Sequence, residues 1–405
     1  MRGTVRSRLS IPMRLAWVCP YLPWPANSGG RIRIHRLASG IGAAELHLLC
    51  YLAPDDMEET AASQWPGAPW NSRAWFAPDV RRARLEPFVP SQATRLPQEL
   101  VARLFALHDQ APLDAVIVEH GYAAGGLVLP EGVALIVDEH NIEADYFGRL
   151  LFSRSAELGV QPLRQRLRYA VEWAAWRRFQ RQIWQRAAAV AVVADADARQ
   201  VARYPQSAVD VVPNGVAVSD HCFIPPSQRR GYRVLFVGHL QYPPNLAAAR
   251  FLATEVIPRL RRRVPEATLT LAGRDPLPQV TSLASHAVQV VPNPPCIAEL
   301  YATHAACAIP LRFGAGTSLK VLEPLAAGVP LCASAFGVRG FGLLPAAHYL
   351  PAESADDYAD ALGRILTARA AFDPMAARGR RIAQAYAWEN SAQRLARLIQ
   401  RVIRT

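Results

Sequence analysis

Residues 306–333 read ACAIPLRFGAGTSLKVLEPLAAGVPLCA, and this stretch decides the fold. Ala306 to Leu311 is a short apolar run that suits a buried strand. Arg312 to Ser318 is a glycine-bearing loop, a helical pattern follows, and Val329 to Ala333 is a second apolar run. Strand, loop, helix and strand in that order make the crossover unit of a parallel sheet. The same alternation extends upstream through Arg233 to Val237, Thr268 to Ala272 and Val288 to Val291. It appears again in the first half as Leu15 to Cys19, Leu46 to Leu52, Ala115 to Val118, Ala134 to Val137 and Ala189 to Val193. The sequence thus specifies an α/β protein in which a doubly wound layer is built twice. Between the two series lie Val211 to Val216 and the proline-containing segment His221 to Gln228, which shows no sustained periodicity. We therefore expect domains over 1–218 and 219–387, followed by a helix over 388–405.

The loop also carries a compositional exception. Of 45 lysine and arginine residues, one is lysine, Lys320. A chain that uses arginine elsewhere keeps lysine where a compact ammonium fits and a planar guanidinium does not. Beside the backbone N–H groups of Gly316, Thr317, Ser318 and Leu319 at an expected helix start, the matching ligand is a phosphate. An ion pair at about 4 Å contributes about 4 kcal/mol at an effective dielectric near 20, against under about 1 kcal/mol for a helix-end dipole. Lys320 is therefore expected to dominate. Glu323, one turn on, can accept hydrogen bonds from vicinal hydroxyls such as those of a ribose.

Two constellations in the first half fit the same reading. Gly29 and Gly30 lie between the first strand and a helical pattern, where adjacent glycines let backbone N–H groups approach an anion. The spacing G-x-G-x-x-G of dinucleotide sites is absent, which disfavours a nicotinamide oxidoreductase. Asp138-Glu139-His140-Asn141 follows an apolar strand, where open α/β sheets place ligand-binding residues. Four polar residues in a row there read as a site rather than core, with His140 donating to a sugar hydroxyl or a phosphate. Asp195-Ala196-Asp197 looks like a metal motif, but two carboxylates without further oxygen ligands define no site, and they read as helix caps. No metal is expected.

The 405 residues carry a formal net charge of +12 and a pI near 9.9, which favours an anionic partner. No nucleic-acid-binding signature accompanies the charge, so nucleic acid is not expected as a partner. Six cysteines without a C-x-x-C pair read as reduced core residues of a cytoplasmic protein. Met1 to Pro12 is basic, but the apolar run behind it is too short for a signal peptide or a membrane span. Gln161 to Ala188 is helical, with Trp173, Trp176 and Trp184 falling on a face suited to core packing and arginines on the solvated side. Peripheral contact of this helix with an anionic membrane is the competing reading.

Taken together, these segments resemble the retaining GT-B glycosyltransferases numbered family four, over nearly the whole chain. Pro20 to Arg31 resembles the family's glycine loop, Asp138 to Asn141 its histidine-bearing strand end, and Val211 to Val216 its hinge approach. Arg233 to Gly238, His239 to Asn245, Ala267 to Gly273 and Gly314 to Pro330 follow the order of its donor domain. The spellings Tyr242-Pro243-Pro244-Asn245 and Gly314-Ala315-Gly316-Thr317 are similar to a branch of exopolysaccharide- and PEP-CTERM-associated sugar transferases.

The resemblance implies two Rossmann-like domains facing across a cleft, with the last helix packing back on the first domain. It implies transfer of a sugar from a nucleotide-sugar donor to a glycan or lipid-linked acceptor, with retained configuration and no cofactor. Gly30 is then expected to meet the donor phosphate, His140 the transferring sugar, Lys320 and the nearby amides the diphosphate, and Glu323 the ribose, with Gly29, Gly238, His239 and Asn245 completing the donor site. The family commonly has glutamate where Ala315 stands, and arginine and lysine where His239 and Asn245 stand. These departures motivate a silent nucleotide-sugar-binding scaffold as one alternative; a nucleotide-sugar epimerase of the same fold is another. The acceptor is expected to be chosen by loops within Ala53 to Val101.

Overall fold

The computed structural model describes residues 12–42, 44–51, 65, 67–77, 90, 93, 96–152, 162–204 and 207–404. Two all-parallel sheets organise them, as expected. The first has seven strands: β1 (Met13–Cys19), β2 (Ala44–Tyr51), β3 (Ser72–Phe76), β4 (Ala115–Glu119), β5 (Ala134–Glu139), β6 (Ala189–Val192) and β7 (Ala208–Val211), in the order β3-β2-β1-β4-β5-β6-β7. The second has six: β8 (Arg233–Val237), β9 (Thr268–Gly273), β10 (Val288–Pro292), β11 (Ala306–Ile309), β12 (Leu331–Ala333) and β13 (Leu350–Pro351), in the order β10-β9-β8-β11-β12-β13. In each sheet the strand order reverses beside the first strand, between β1 and β4 and between β8 and β11. Ligands of open α/β sheets collect in the crevice beyond the strand ends at such a point.

The central strands are continuous apolar runs because helices cover both faces. Leu15, Trp17 and Cys19 face one side of β1 with Ala16 and Val18 on the other, and all are fully buried. Helix Trp388–Ile403 crosses back from the second domain and lies against helix Gly29–Gly40. Trp388, Ala392, Leu395, Leu398 and Ile399 join the core of the first domain. Gly40 is fixed by this crossing, since a Cβ there would strike that of Ala392.

The structure corrects several local readings. Asp138 and Glu139 belong to β5 and are buried, at 0% and 2% exposure. Arg33, distant in sequence, matches the charge of Asp138, while burial raises Glu139 to about 7 and the Gly121 N–H and Trp184 indole N–H donate to it, which explains how two carboxyl groups end a core strand. Asp195 and Asp197 do not cap their helix; Ala194 is the N-cap and both aspartates sit in the first turn, where the helix dipole favours them. Cys222 and Cys296 are exposed, whereas Cys19, Cys50, Cys307 and Cys332 are buried, and all six are free thiols. Of the expected acceptor segment Ala53 to Val101, residues 53–64, 66, 78–89, 91–92 and 94–95 lie outside the described residues, as do residues 1–11. No helix among the described residues is long and apolar enough to cross a membrane.

Candidate active site

A cleft of about 1060 Å³ separates the two sheets at their carboxyl ends, and His140, Lys320, Glu323 and every donor-site residue named from the sequence line it, whereas Asp138 and Glu139 do not. The structure brings together the glycine loop at Gly29 and Gly30, the end of β5 at His140, the end of β8 from Gly238 to Asn245, and the loop from Gly316 to Glu323.

Lys320 does not start an α-helix as the sequence suggested. It lies in a 3-10 turn, Leu319–Val321, and the α-helix begins at Leu322 and ends at Ala327. Pro324 accounts for this, because a proline ring four residues after Lys320 would clash with its carbonyl in a continuous α-helix. Gly328 closes the helix with φ +73, and a Cβ there would strike Phe223. The Lys320 Nζ donates to Asn245 Oδ1 at 2.5 Å and stands 4.6 Å from the centre of the Phe236 ring. Asn245 is held by its own Nδ2, which donates to the carbonyl of His239 at 2.9 Å. Burial lowers the ammonium of Lys320 to about 7, against the opposing pull of Cys307 and Glu323. Burial likewise raises Glu323 to about 7, although the Tyr301 hydroxyl donates to it at 2.9 Å and Lys320 is near. No carboxylate among the described residues contacts the Lys320 ammonium directly, and a bound anion would complete its coordination.

On the opposite wall, Arg33 and Asp138 form a fully buried pair, with guanidinium to carboxylate distances of 2.8 and 2.6 Å. Burial alone would raise Asp138, but the arginine more than offsets it and holds the carboxyl below its ordinary range. Arg33 also donates to Asn214 at 3.2 Å, and Asn214 donates to Thr317 Oγ1 at 3.0 Å across the domain boundary. The glycines mark the closest approaches. A Cβ on Gly30 would strike the Tyr21 hydroxyl, and one on Gly316, which has φ +60, would strike Asn141. Glu119, Asp138 and His140 bring ligand atoms within 4.8 Å of one another, a spacing a cation could use. Arg33 pairs with Asp138 there, and His140 Nε2 meets Glu119 Oε2 directly at 2.5 Å.

Two family models match the chain: Glycosyltransferase Family 4 over residues 27–220 and Glycosyl transferases group 1 over residues 231–368. Both halves of the chain are glycosyltransferase domains. No curated protein matches it by sequence. Among solved structures, sucrose-phosphate synthase from Thermosynechococcus elongatus is similar at 18% identity and TM-score 0.65, covering 97% of this chain and 99% of that one. HepE from Anabaena, solved with UDP, is similar at 14% identity and TM-score 0.65, covering 96% and 100%. The pneumococcal O-GlcNAc transferase GtfA, solved with UDP and GlcNAc, is similar at 12% identity and TM-score 0.64, covering 97% and 100%. These likenesses establish the GT-B fold.

Within the first glycosyltransferase domain, sequence reading missed a neighbouring set. Glu119 ends β4 beside Asp138 of β5 and His120 follows it, so the strand-end pattern that singled out His140 was present there too. His120 holds φ +64, uncommon for a residue with a side chain, and lines the cleft. Its Nε2 meets the Tyr21 hydroxyl at 2.9 Å and its ring centre lies 3.9 Å from that of His140. In the second domain Arg274 was missed. It follows β9, lines the cleft and reaches Asn27 of the glycine loop at 2.8 Å.

The electrostatics of this corner leave His140 neutral. Burial and Asp138 raise Glu119 well above the carboxylate range, and burial lowers His140 to about 3 despite Asp138. With both groups neutral, either the Glu119 O–H donates to Nε2, or Nε2–H donates to Glu119 while the Glu119 O–H turns to Asp138; we assign the first. The hydrogen of His140 is then on Nδ1, which faces Gly30, and His140 is a donor rather than a base. Glu119→Gln should preserve this arrangement, its amide donating to His140 while its carbonyl accepts from Trp17 as Glu119 does. Donor turnover is expected to stay within about fivefold of the parent, the scale of one net hydrogen bond, whereas Glu119→Ala should fall well below it. Equal losses in the two variants, measured by nucleotide release, would refute the neutral assignment.

Proposed function

We propose that the protein transfers a sugar from a nucleoside-diphosphate sugar to a glycan or lipid-linked acceptor with retention of configuration. The observation carrying this reading is Lys320, whose Nζ no carboxylate among the described residues contacts, lining a two-domain cleft with Glu323 one turn away for a ribose. HepE and GtfA, both solved with UDP, support a nucleotide in the same kind of cleft. In this reading residues 219–387 hold the donor and residues 1–218 receive the acceptor, at the cytoplasmic side and in exopolysaccharide assembly.

As the bond between anomeric carbon and diphosphate oxygen breaks, negative charge grows on the leaving phosphate. Lys320, the amides of Gly316 to Leu319 and those at Gly30 are placed to stabilise it, and preorganised donors of this kind are the largest single source of such catalysis. The acceptor oxygen bonds to the anomeric carbon, and its proton passes to the leaving phosphate. Lysine takes the place of a metal in neutralising the diphosphate. Arg274, paired with Asp275, provides a second guanidinium in the cleft, where His239 and Asn245 stand in place of the arginine and lysine of the family.

The test is nucleotide release from a panel of UDP-, GDP-, ADP- and TDP-sugars, with and without mixed glycan and lipid acceptors. Release from one donor with acceptor-dependent formation of an α- or β-glycoside matching the donor supports the reading. Tight binding without release from any donor favours the silent scaffold, and absence of binding to the whole panel overturns the assignment.

A further inference from the structure

Helix Leu163–Arg186 buries Trp176, Ile183 and Trp184 and turns a different apolar face to solvent. Leu163, Leu167 and Val171 recur every four residues and are 72%, 58% and 61% exposed; Phe152, at the end of the adjoining helix Glu143–Phe152, is 65% exposed. They are four of the eight large hydrophobic side chains exposed among the described residues. Residues four apart share one side of a helix, so the three helical residues make a stripe about 12 Å long. Arg164, Arg166, Arg168 and Arg178 flank it, are exposed and form no ion pair among the described residues. The helix carries seven arginines and a single acidic residue, Glu172.

We propose that this face docks the protein on an anionic phospholipid surface. Leu163, Leu167 and Val171 enter the acyl boundary, and the arginines lie at headgroup depth with their guanidinium groups on lipid phosphates. Charge selects this occupant. A second copy seated symmetrically on the stripe would set the same arginines against each other, in a chain of net charge +12. Nucleic acid offers phosphates but no apolar phase for the stripe. Helix Glu143–Phe152 starts two residues after Asn141 in the cleft wall, and its ten residues span about 15 Å. Docking therefore holds the cleft near the headgroups. That placement suits the lipid-linked acceptor of the proposed function, but docking itself does not depend on it.

Cosedimentation of the full chain with vesicles of phosphatidylglycerol and phosphatidylcholine, against phosphatidylcholine alone, tests the proposal. Binding is expected with the anionic vesicles and not with the neutral ones. Replacing Arg164, Arg166 and Arg168 by glutamine should weaken it by roughly fivefold per arginine, and Leu163→Glu with Leu167→Glu should abolish it. Nucleotide release to a soluble acceptor should be unchanged in both variants, which separates a failure of docking from a failure of the transferase reading. Equal binding to neutral vesicles, or undiminished binding of the leucine variant, overturns the proposal. So does a dimer that the leucine variant dissolves, or oligonucleotide binding that the arginine variant loses while vesicle binding persists.

Discussion

Lys320→Met is expected to fold, to melt at higher temperature than the parent, and to lose roughly 10²–10³-fold in turnover, the range seen when one preorganised stabiliser of developing charge is removed. The stability gain follows from the cost of holding the ammonium. Burial brings it from an ordinary 10.5 to about 7, and each pH unit corresponds to about 1.4 kcal/mol between protonation states. Even discounted for the solvent that reaches this half-buried side chain, the sum exceeds the roughly 1 kcal/mol lost when Asn245 Oδ1 loses its donor. The sign fixes the pH window. The folded state takes up the proton less readily than the unfolded chain, so the parent's penalty is absent above 10.5, grows as pH falls, and is complete below about 7. Thermal melts should therefore show the largest advantage for methionine at pH 7 and below, closing toward pH 10.5. Donor affinity of the parent should fall as pH rises above 7 and the ammonium is lost, while that of the variant stays flat across the same range. Turnover of the variant within tenfold of the parent would remove Lys320 from the electrostatic role.

The legible parts of this protein were those whose signal is local. Strands buried on both faces, such as Leu15 to Cys19 and Ala306 to Ile309, show as apolar runs. Edge strands did not: Ser72–Phe76 and Ala208–Val211 are only partly buried and mix polar with apolar residues. Lys320 stood out because it breaks a compositional rule, and the glycines because they punctuate strand and helix. Hidden from sequence were pairings across distance. Arg33 and Asp138 are 105 positions apart, so Asp138 read as a site residue when it is core. Helix Leu163–Arg186 failed differently. Its tryptophans correctly marked a packed face, but periodicity cannot tell which of two apolar faces the fold covers, and Leu163, Leu167 and Val171 lie on the uncovered one.

Arg33→Met is expected to lower stability by roughly 3–5 kcal/mol, the cost of leaving a buried charge unpaired. The partners are 1% and 0% exposed, so water cannot replace the guanidinium, and Glu119 beside Asp138, pushed toward its neutral form by burial and by Asp138, brings no positive charge in its place. Arg33→Lys should recover little, because an ammonium cannot reproduce the two parallel bonds to the carboxylate. Adding Asp138→Leu to Arg33→Met should restore much of the loss, since apolar replacement of a buried pair is often close to neutral. The pH dependence separates this account from simple loss of packing. In the parent, Asp138 is held below its ordinary 3.8, so its contribution is present above that value and is lost as pH falls through the folded-state pKa. In Arg33→Met the carboxyl takes a proton readily, so the gap between variant and parent should be widest at neutral pH and narrow under acid. Urea unfolding at pH 7 and at pH 4 measures both. Arg33 also steadies Asn214, which reaches Thr317 of the opposing domain. The double variant should therefore regain stability while its KM for the donor stays raised; a KM that recovers along with stability would confine Arg33 to the core.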